Sequence, residues 1–215
     1  MKNRIKHVVW DWNGTLVDDA RLCVDIVNGI LSDLSISPVS LKFYRDNFTF
    51  PVSSYYEKIG LPTEGDSYRA ISEKFISEYR MRRVSRQLQK HARLVMNGLA
   101  ESGIGQSILS AGKLSDLINF VDELGLSGFV DPISGASNIY AAGKKGISKT
   151  HLAKIAHEPS NVLLVGDTVH DEEVSVHLGT QCMLFTGGHN SVKTLGECRS
   201  ELIDDLRMVL LRVID

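Results

Sequence analysis

Two aspartates at the ends of apolar runs set the chemical possibilities of this chain. Ile5-Lys6-His7-Val8-Val9-Trp10 delivers Asp11 into the glycine turn Trp12-Asn13-Gly14-Thr15. Far downstream, Asn161-Val162-Leu163-Leu164-Val165 delivers Gly166-Asp167, with Asp171 four residues later. Short apolar runs of this kind are the pattern of buried strands. Open α/β sheets keep their reactive groups in the crevice beyond the carboxyl ends of the strands. If parallel strands bring the two tips together, their carboxylates make a site for a hard cation such as Mg²⁺. An aspartate nucleophile, a metal and a phosphate can then meet in one place.

The rest of the chain must supply that sheet. After the first strand comes a helix-rich stretch without another convincing buried strand. Leu22, Ile26, Val27, Ile30, Leu31 and Leu34 recur at three and four behind Asp18 and Asp19, which are placed to cap a helix. Shorter helices are expected around Leu41–Phe48 and after Pro51, and a longer one from Ser67 into the arginines. From Gln89 the grammar changes to alternation. A helix ends at Gly103, and Gln106–Leu109 reads as a strand ending at Ser110. A helix over Lys113–Leu124 and a short strand near Phe129-Val130 follow. Next come a helix over Lys149–Ala156, the strand before Asp167, a helix over Glu172–Leu178 and a last strand at Gln181–Phe185. Alternation of this kind implies right-handed crossovers and a parallel sheet. The expected architecture is α/β: a Rossmann-like parallel core from residues 1–16 and 88–215, with a small α-helical cap, 17–87, inserted after the first strand.

Composition excludes more than it proposes. The 215 residues carry a formal net charge of −2, so nothing in the total draws nucleic acid or a membrane surface. No apolar stretch is long enough to span a bilayer. Met1-Lys2-Asn3-Arg4 runs straight into the first strand, with no room for a signal peptide. Cys23, Cys182 and Cys198 have neither metal spacing nor a disulfide framework and are expected as reduced thiols in a cytoplasmic enzyme. The basic run Arg80, Arg82, Arg83, Arg86, Lys90 and Arg93 lacks interleaved aromatics and is expected as a solvated helix face. Phe43, Tyr44, Phe48, Phe50, Tyr55 and Tyr56 are expected to build the cap's own core, some of them facing the site.

Four blocks in order resemble the haloacid dehalogenase superfamily, its phosphatase and phosphotransferase branch above all. They are Asp11-Trp12-Asn13-Gly14-Thr15, Ser110 at its strand end, a lysine, and Gly166-Asp167-Thr168-Val169-His170-Asp171. The resemblance covers most of the chain. It implies that Asp11 is a covalent nucleophile toward phosphorus, splitting hydrolysis into two displacements. It implies Mg²⁺ held by Asp11, the main-chain carbonyl of Asn13, and Asp167, with Asp171 ordering the shell. Gly14, Thr15, Ser110 and Ala111 would hold phosphoryl oxygens, and a lysine would balance the charge. Lys149, at an expected helix start, is favoured for that part over Lys144; Lys145 is expected at the surface.

One position departs from the family's pattern. Its phosphatases usually carry a second Asp two residues after the nucleophile, as general acid and base, and here that residue is Asn13. A neutral amide cannot exchange a proton near neutral pH. General acid–base help is worth about 10²–10⁴-fold. His170, His189, a cap residue or the substrate could supply the proton, or the leaving group could need none. The implied function is a Mg²⁺-dependent phosphatase of a small phosphorylated metabolite. The alternatives are a phosphonate- or halide-cleaving hydrolase and a catalytically weak phosphate-ligand sensor. A cap directly after Leu16 emerges beside the nucleophile and can close over it.

Overall fold

The two acidic runs are neighbours in the sheet. In the computed structural model, which describes residues 5–82 and 87–214, β1 (His7–Trp10) and β6 (Val162–Gly166) pair in parallel with Trp10 opposite Val165. On its other side β1 pairs in parallel with β4 (Gly105–Lys113), Trp10 lying opposite Ile108. β5 (Ile133–Ala136), β7 (Gln181–Phe185) and β8 (Glu201–Ile203) complete a six-stranded sheet of order β5-β4-β1-β6-β7-β8, parallel throughout. This is the expected Rossmann-like core.

The central strands are apolar nearly throughout because helices cover both faces of a parallel sheet. Val8, Trp10, Leu163 and Val165 pack against α5 (Ala92–Glu101), α6 (Leu114–Glu123) and α10 (Arg207–Ile214). Val9, Leu109 and Leu164 face the other way, onto α7 (Lys145–Ile155) and α8 (Val169–Leu178). Among the described residues no helix is long and apolar enough to cross a membrane.

Four helices leave the core after β1: α1 (Ala20–Asp33), α2 (Leu41–Asn47), α3 (Val52–Lys58) and α4 (Gly65–Met81). They enclose an apolar cluster of their own, with Leu22, Ile26, Ile30, Tyr55 and Tyr56 inside it. The chain enters and leaves this unit through a two-stranded antiparallel ladder, β2 (Val17–Asp18) against β3 (Gln87–Leu88). Within the basic run, Arg80 pairs with Asp116 and Arg82 with Asp25. Met1–Arg4, Arg83 and Arg86 lie outside the described residues.

Several elements differ from the sequence reading. β4 does not stop at Ser110 but runs on to Lys113. The strand expected near Phe129-Val130 lies at Ile133–Ala136, because Val130 is spent on the core and edge pairing begins at Asp131, whose N–H bonds Gln106 O. Gln181–Phe185 is not the last strand, since β8 adds an edge beyond it. α7 starts at Lys145, four residues before the expected Lys149.

A polar seam stitches β1, β4, β5 and α7 together. His7 Nε2 and His151 Nε2 each lie 2.9 Å from Ser107 Oγ, and His151 Nδ1 lies 2.8 Å from Ser134 Oγ. Burial, reinforced by His157, pushes His7 down to about 4; burial, reinforced by His7 and Lys144, pushes His151 down to about 3. The unfolded chain binds these protons near pH 6.5. The folded values are depressed, so their stability is present above pH 6.5 and is lost as pH falls toward 4. At about 1.4 kcal/mol per pH unit for each ring, the two predict a loss on the order of 3 kcal/mol between pH 7 and pH 5. Urea denaturation at both pH values measures it. A His7→Gln/His151→Gln double variant should lose distinctly less on acidification; an unchanged acid loss would refute the assignment.

Candidate active site

Strand register alone assembles the acidic centre. Trp10 is level with Ile108 on one side and Val165 on the other, so Asp11, Ser110 and Asp167 emerge one or two residues beyond the same line. Asp171 joins them from the first turn of α8. Ligand oxygens of Asp11, Asp167 and Asp171 lie within 4.8 Å of one another. Buried carboxylates at that spacing repel, and something cationic must sit among them.

The protein's own cation there is Lys144. Its Nζ lies 2.5 Å from Asp11 Oδ1 and 2.5 Å from Asp171 Oδ1, and donates to Leu109 O at 3.0 Å. Burial opposes the charge of this ammonium, but Asp11 and Asp171 outweigh it and raise its pKa. Lys149, the lysine expected here, does not reach the site. Because α7 begins at Lys145, Lys149 falls on its second turn, exposed, beside a surface groove shared with His157 and His177. Lys144 instead occupies the N-cap, where its own N–H donates to His170 Nε2 at 2.9 Å. His170 therefore positions the lysine's main chain.

Each of the other carboxylates is held. Thr168 and Asp171 form a reciprocal capping box, with Asp171 Oδ2 accepting from Thr168 N at 2.9 Å and Thr168 Oγ1 at 2.6 Å. Asp171 is thus both a helix cap and a member of the acidic centre. Asp167 Oδ1 accepts from Thr15 Oγ1 at 2.7 Å, and its Oδ2 from His189 N at 2.6 Å. Desolvation first, then neighbouring Asp171, raises Asp167 to about 6; burial raises Asp11 well above the carboxylate range against the pull of Lys144. One ammonium does not neutralise three carboxylates. An all-oxygen set with surplus negative charge suits a hard divalent cation, so Asp11, Asp167 and Asp171 fit such an ion.

Gly14 and Thr15, expected to hold phosphoryl oxygens, are engaged here with the centre's own residues. The Thr15 hydroxyl is spent on Asp167, and the Gly14 N–H points to Val17 O and Asp19 Oδ1, both at 2.9 Å. Gly14 has φ +79, and a Cβ there would lie 2.3 Å from Asp167 Oδ2. Close approach to Asp167 makes this position a glycine. Trp12 and Asn13 after β1, and Ser110, Ala111 and Gly112 near the end of β4, border the cavity, and Ser110 Oγ accepts from Gly112 N at 3.0 Å.

Asn13 belongs to a second network that the sequence reading missed. Its Nδ2 donates to Asp19 Oδ2 at 2.5 Å and lies 2.9 Å from Tyr79 Oη; Tyr79 itself donates to Asp19 at 2.6 Å. His189 Nε2 stands 3.2 Å from Asp19 Oδ1, and its Nδ1 lies 2.8 Å from Tyr44 Oη. Burial would raise Asp19, but hydrogen bonds from His189, Tyr79 and Asn13 together hold its pKa below the usual value. His189 is raised to about 9 by Asp19 against its own desolvation. Asp19, expected as a helix cap, makes no side-chain cap bond to α1. The signal available for it was an acidic residue just ahead of an apolar helix, the same signal a cap gives.

The cavity that meets this centre runs between the sheet tips and the cap, with a volume of about 160 Å³. Asp11, Ser110 and Lys144 border one part of it; Tyr44, Phe48, Phe50, Tyr55 and Phe75 of the cap border another. The cap is pinned beside it: Arg45 Nη2 donates to Gly187 O, Ser191 N to Arg45 O, and Asn190 Nδ2 to Phe48 O.

Residues 8–185 match the family of haloacid dehalogenase-like hydrolases. A phosphoglycolate phosphatase from Aquifex aeolicus is 25% identical over 204 residues, covering 86% of this chain and 86% of the relative. A phosphoglycolate phosphatase from Caulobacter vibrioides is 25% identical over 199 residues, covering 88% and 83%. A haloacid dehalogenase-like hydrolase from Streptococcus pneumoniae superposes with a TM-score of 0.82 at 19% identity, over 98% of this chain and 99% of its own, and shares the fold. The match takes in both acidic strand tips and the inserted helices between them: the chain belongs to the haloacid dehalogenase-like hydrolases, on the phosphatase side of that family.

Proposed function

We propose that this hydrolase is a Mg²⁺-dependent phosphatase of a small phosphorylated metabolite, working in the cytoplasm through an aspartyl-phosphate on Asp11. The observation that carries the reading is the buried convergence of Asp11, Asp167 and Asp171, two of them bridged by Lys144, where the cavity meets the sheet tips. An oxygen of Asp11 attacks phosphorus and the bond to the leaving oxygen breaks; water then releases phosphate and regenerates the carboxylate. Bound among the carboxylates, with the Asn13 carbonyl as a further ligand, Mg²⁺ would offset the repulsion between nucleophile and phosphate. Lys144 draws Asp11 toward its ionised form against the cost of burial and holds it in place, and adds positive charge where the transition state gathers negative charge. Ser110 and the amides about Ala111 are offered to the phosphoryl oxygens. The three carboxylates favour phosphate over halide chemistry, which needs no cation.

Asn13 favours a second reading, a weakly catalytic phosphate-ligand sensor. Its amide is committed to Asp19 and has no proton to give a leaving group. The two readings part on turnover.

Phosphate release in Mg²⁺ should therefore fall at least 10³-fold in Asp11→Asn and at least 10²-fold in Lys144→Met, while Lys149→Ala stays within twofold. Chelation should abolish release and Mg²⁺ restore it. Activity that survives Asp11→Asn would refute the nucleophile; a loss confined to Lys149→Ala would refute the lysine.

A carboxylate at position 13 would meet that of Asp19. Asn13→Asp is therefore expected to destabilise the fold by about 3 kcal/mol, the scale of an uncompensated buried charge. Asn13→Asp/Asp19→Asn should recover most of it. Urea denaturation of these two and of Asp19→Asn alone forms the cycle, and additive effects would refute the coupling.

A further inference from the structure

The cavity has a chemical character that the phosphate end does not require. All six of the chain's tyrosines and four of its seven phenylalanines border it. Phe48 meets Phe50 and Tyr55 edge-on, Phe75 stacks on Tyr79, and Tyr68 stacks on Tyr140 across the seam between cap and core. Rings in such arrangements present faces and edges to which a further ring can add in the same offset or edge-on geometry. The volume of about 160 Å³ is close to the cavity of about 150 Å³ that takes up benzene in a protein core. That volume includes the part bordered by Asp11, Ser110 and Lys144, so it is the room of one small ester, ring and phosphate together.

The polar groups around it are mostly spoken for. Arg80 forks onto Asp116, with Nε 3.2 Å from Oδ1 and Nη2 2.7 Å from Oδ2. His189 faces Asp19, and Lys144 faces Asp11 and Asp171. The hydroxyls of Tyr44, Tyr68 and Tyr79 bond His189, Tyr140 O and Asp19. Among the groups that remain on the described lining residues are half-exposed Lys113 and two donors buried with no hydrogen-bond partner, the Trp12 indole N–H and the Tyr55 hydroxyl. An anionic organic group buried here would lose its water with little in exchange, whereas an uncharged ring would not. Asn13 points the same way. It has no proton to give, and a phenolic oxygen, whose proton is lost near pH 10, leaves with far less help than an alkoxide.

We infer that the organic part of the substrate is a single uncharged aromatic ring bearing the phosphate on a ring oxygen, an aryl phosphate monoester. The inference rests on the phosphatase reading above and names its substrate class. In the first displacement the bond from the Asp11 oxygen to phosphorus forms, and the bond from phosphorus to the aryl oxygen breaks with its electron pair leaving on that oxygen. Water then attacks phosphorus, the Asp11 oxygen departs as carboxylate, and the proton from water ends on the phenol. The Tyr55 hydroxyl is available to a polar substituent on the ring.

The test pairs turnover with binding in the Mg²⁺-loaded protein. Phenyl phosphate and 4-carboxyphenyl phosphate share a ring and a phenolic leaving oxygen but differ in charge; phosphoglycolate is small and anionic. Benzylphosphonate and phosphonoacetate report binding without hydrolysis. Phenyl phosphate is expected to exceed 4-carboxyphenyl phosphate at least tenfold and phosphoglycolate at least a hundredfold in kcat/KM. Benzylphosphonate should bind at least tenfold tighter than phosphonoacetate, and Phe75→Ala should erase most of that advantage. Equal or reversed preferences, with Asp11-dependent turnover intact, overturn the inference and leave the phosphatase reading standing; in that case loss of phosphoglycolate turnover in Lys113→Ala would assign the carboxylate's partner. No release from any ester, with benzylphosphonate still preferred, overturns the phosphatase reading and keeps the ring selectivity.

Discussion

Everything at the top of the sheet is arranged around one ammonium between carboxylates. Lys144 bridges Asp11 and Asp171 with almost no exposure to water, and Asp167 stands beside them. Charges taken out of water are tolerated only where geometry and hydrogen bonds compensate closely. The neighbouring structure supplies that compensation: the α8 capping box fixes Asp171, Thr15 and the His189 amide fix Asp167, and His170 fixes the lysine's backbone. Glycine at position 14 exists because no larger residue fits against Asp167. The remaining imbalance, three negative groups against one positive, is the strain expected of a centre built for a cation that binds in addition.

The Asp19–His189 pair is a second buried electrostatic centre, joined to the first through Asn13 and through His189, whose amide serves Asp167 while its ring serves Asp19 and Tyr44. An amide at position 13 is then not simply a missing acid. It is the residue that can lie against a carboxylate at hydrogen-bond distance without repulsion. The chain has a carboxylate near this spot, but one held ionised by its partners.

The acidic strand tips were legible because a buried parallel strand must be continuously apolar and cannot hide an aspartate at its end by chance. The inserted helices were legible for the opposite reason, a long stretch with helical periodicity and no such run. Lys144 was not legible. α7 has no side-chain cap, so nothing near Lys145 marks its start, and a shift of one turn exchanges one lysine for another. β5 and β8 are short edge strands of mixed burial, which carry little pattern. Asp19 looked like a cap because its partners, Asn13, Tyr79 and His189, come together only in the fold. What was read correctly depends on local burial; what was misread depends on where distant segments meet.

Two of the ties between cap and core differ in kind. One is the β2–β3 ladder, where Val17 faces Leu88; the other is the set of bonds from Arg45 and Phe48 to the loop at 187–191. The first lies on the path of the chain itself, whereas the second is a few hydrogen bonds between separate segments. Loop 187–191 also carries the amide that holds Asp167. The attachment of the cap and the setting of the acidic centre therefore share the same five residues.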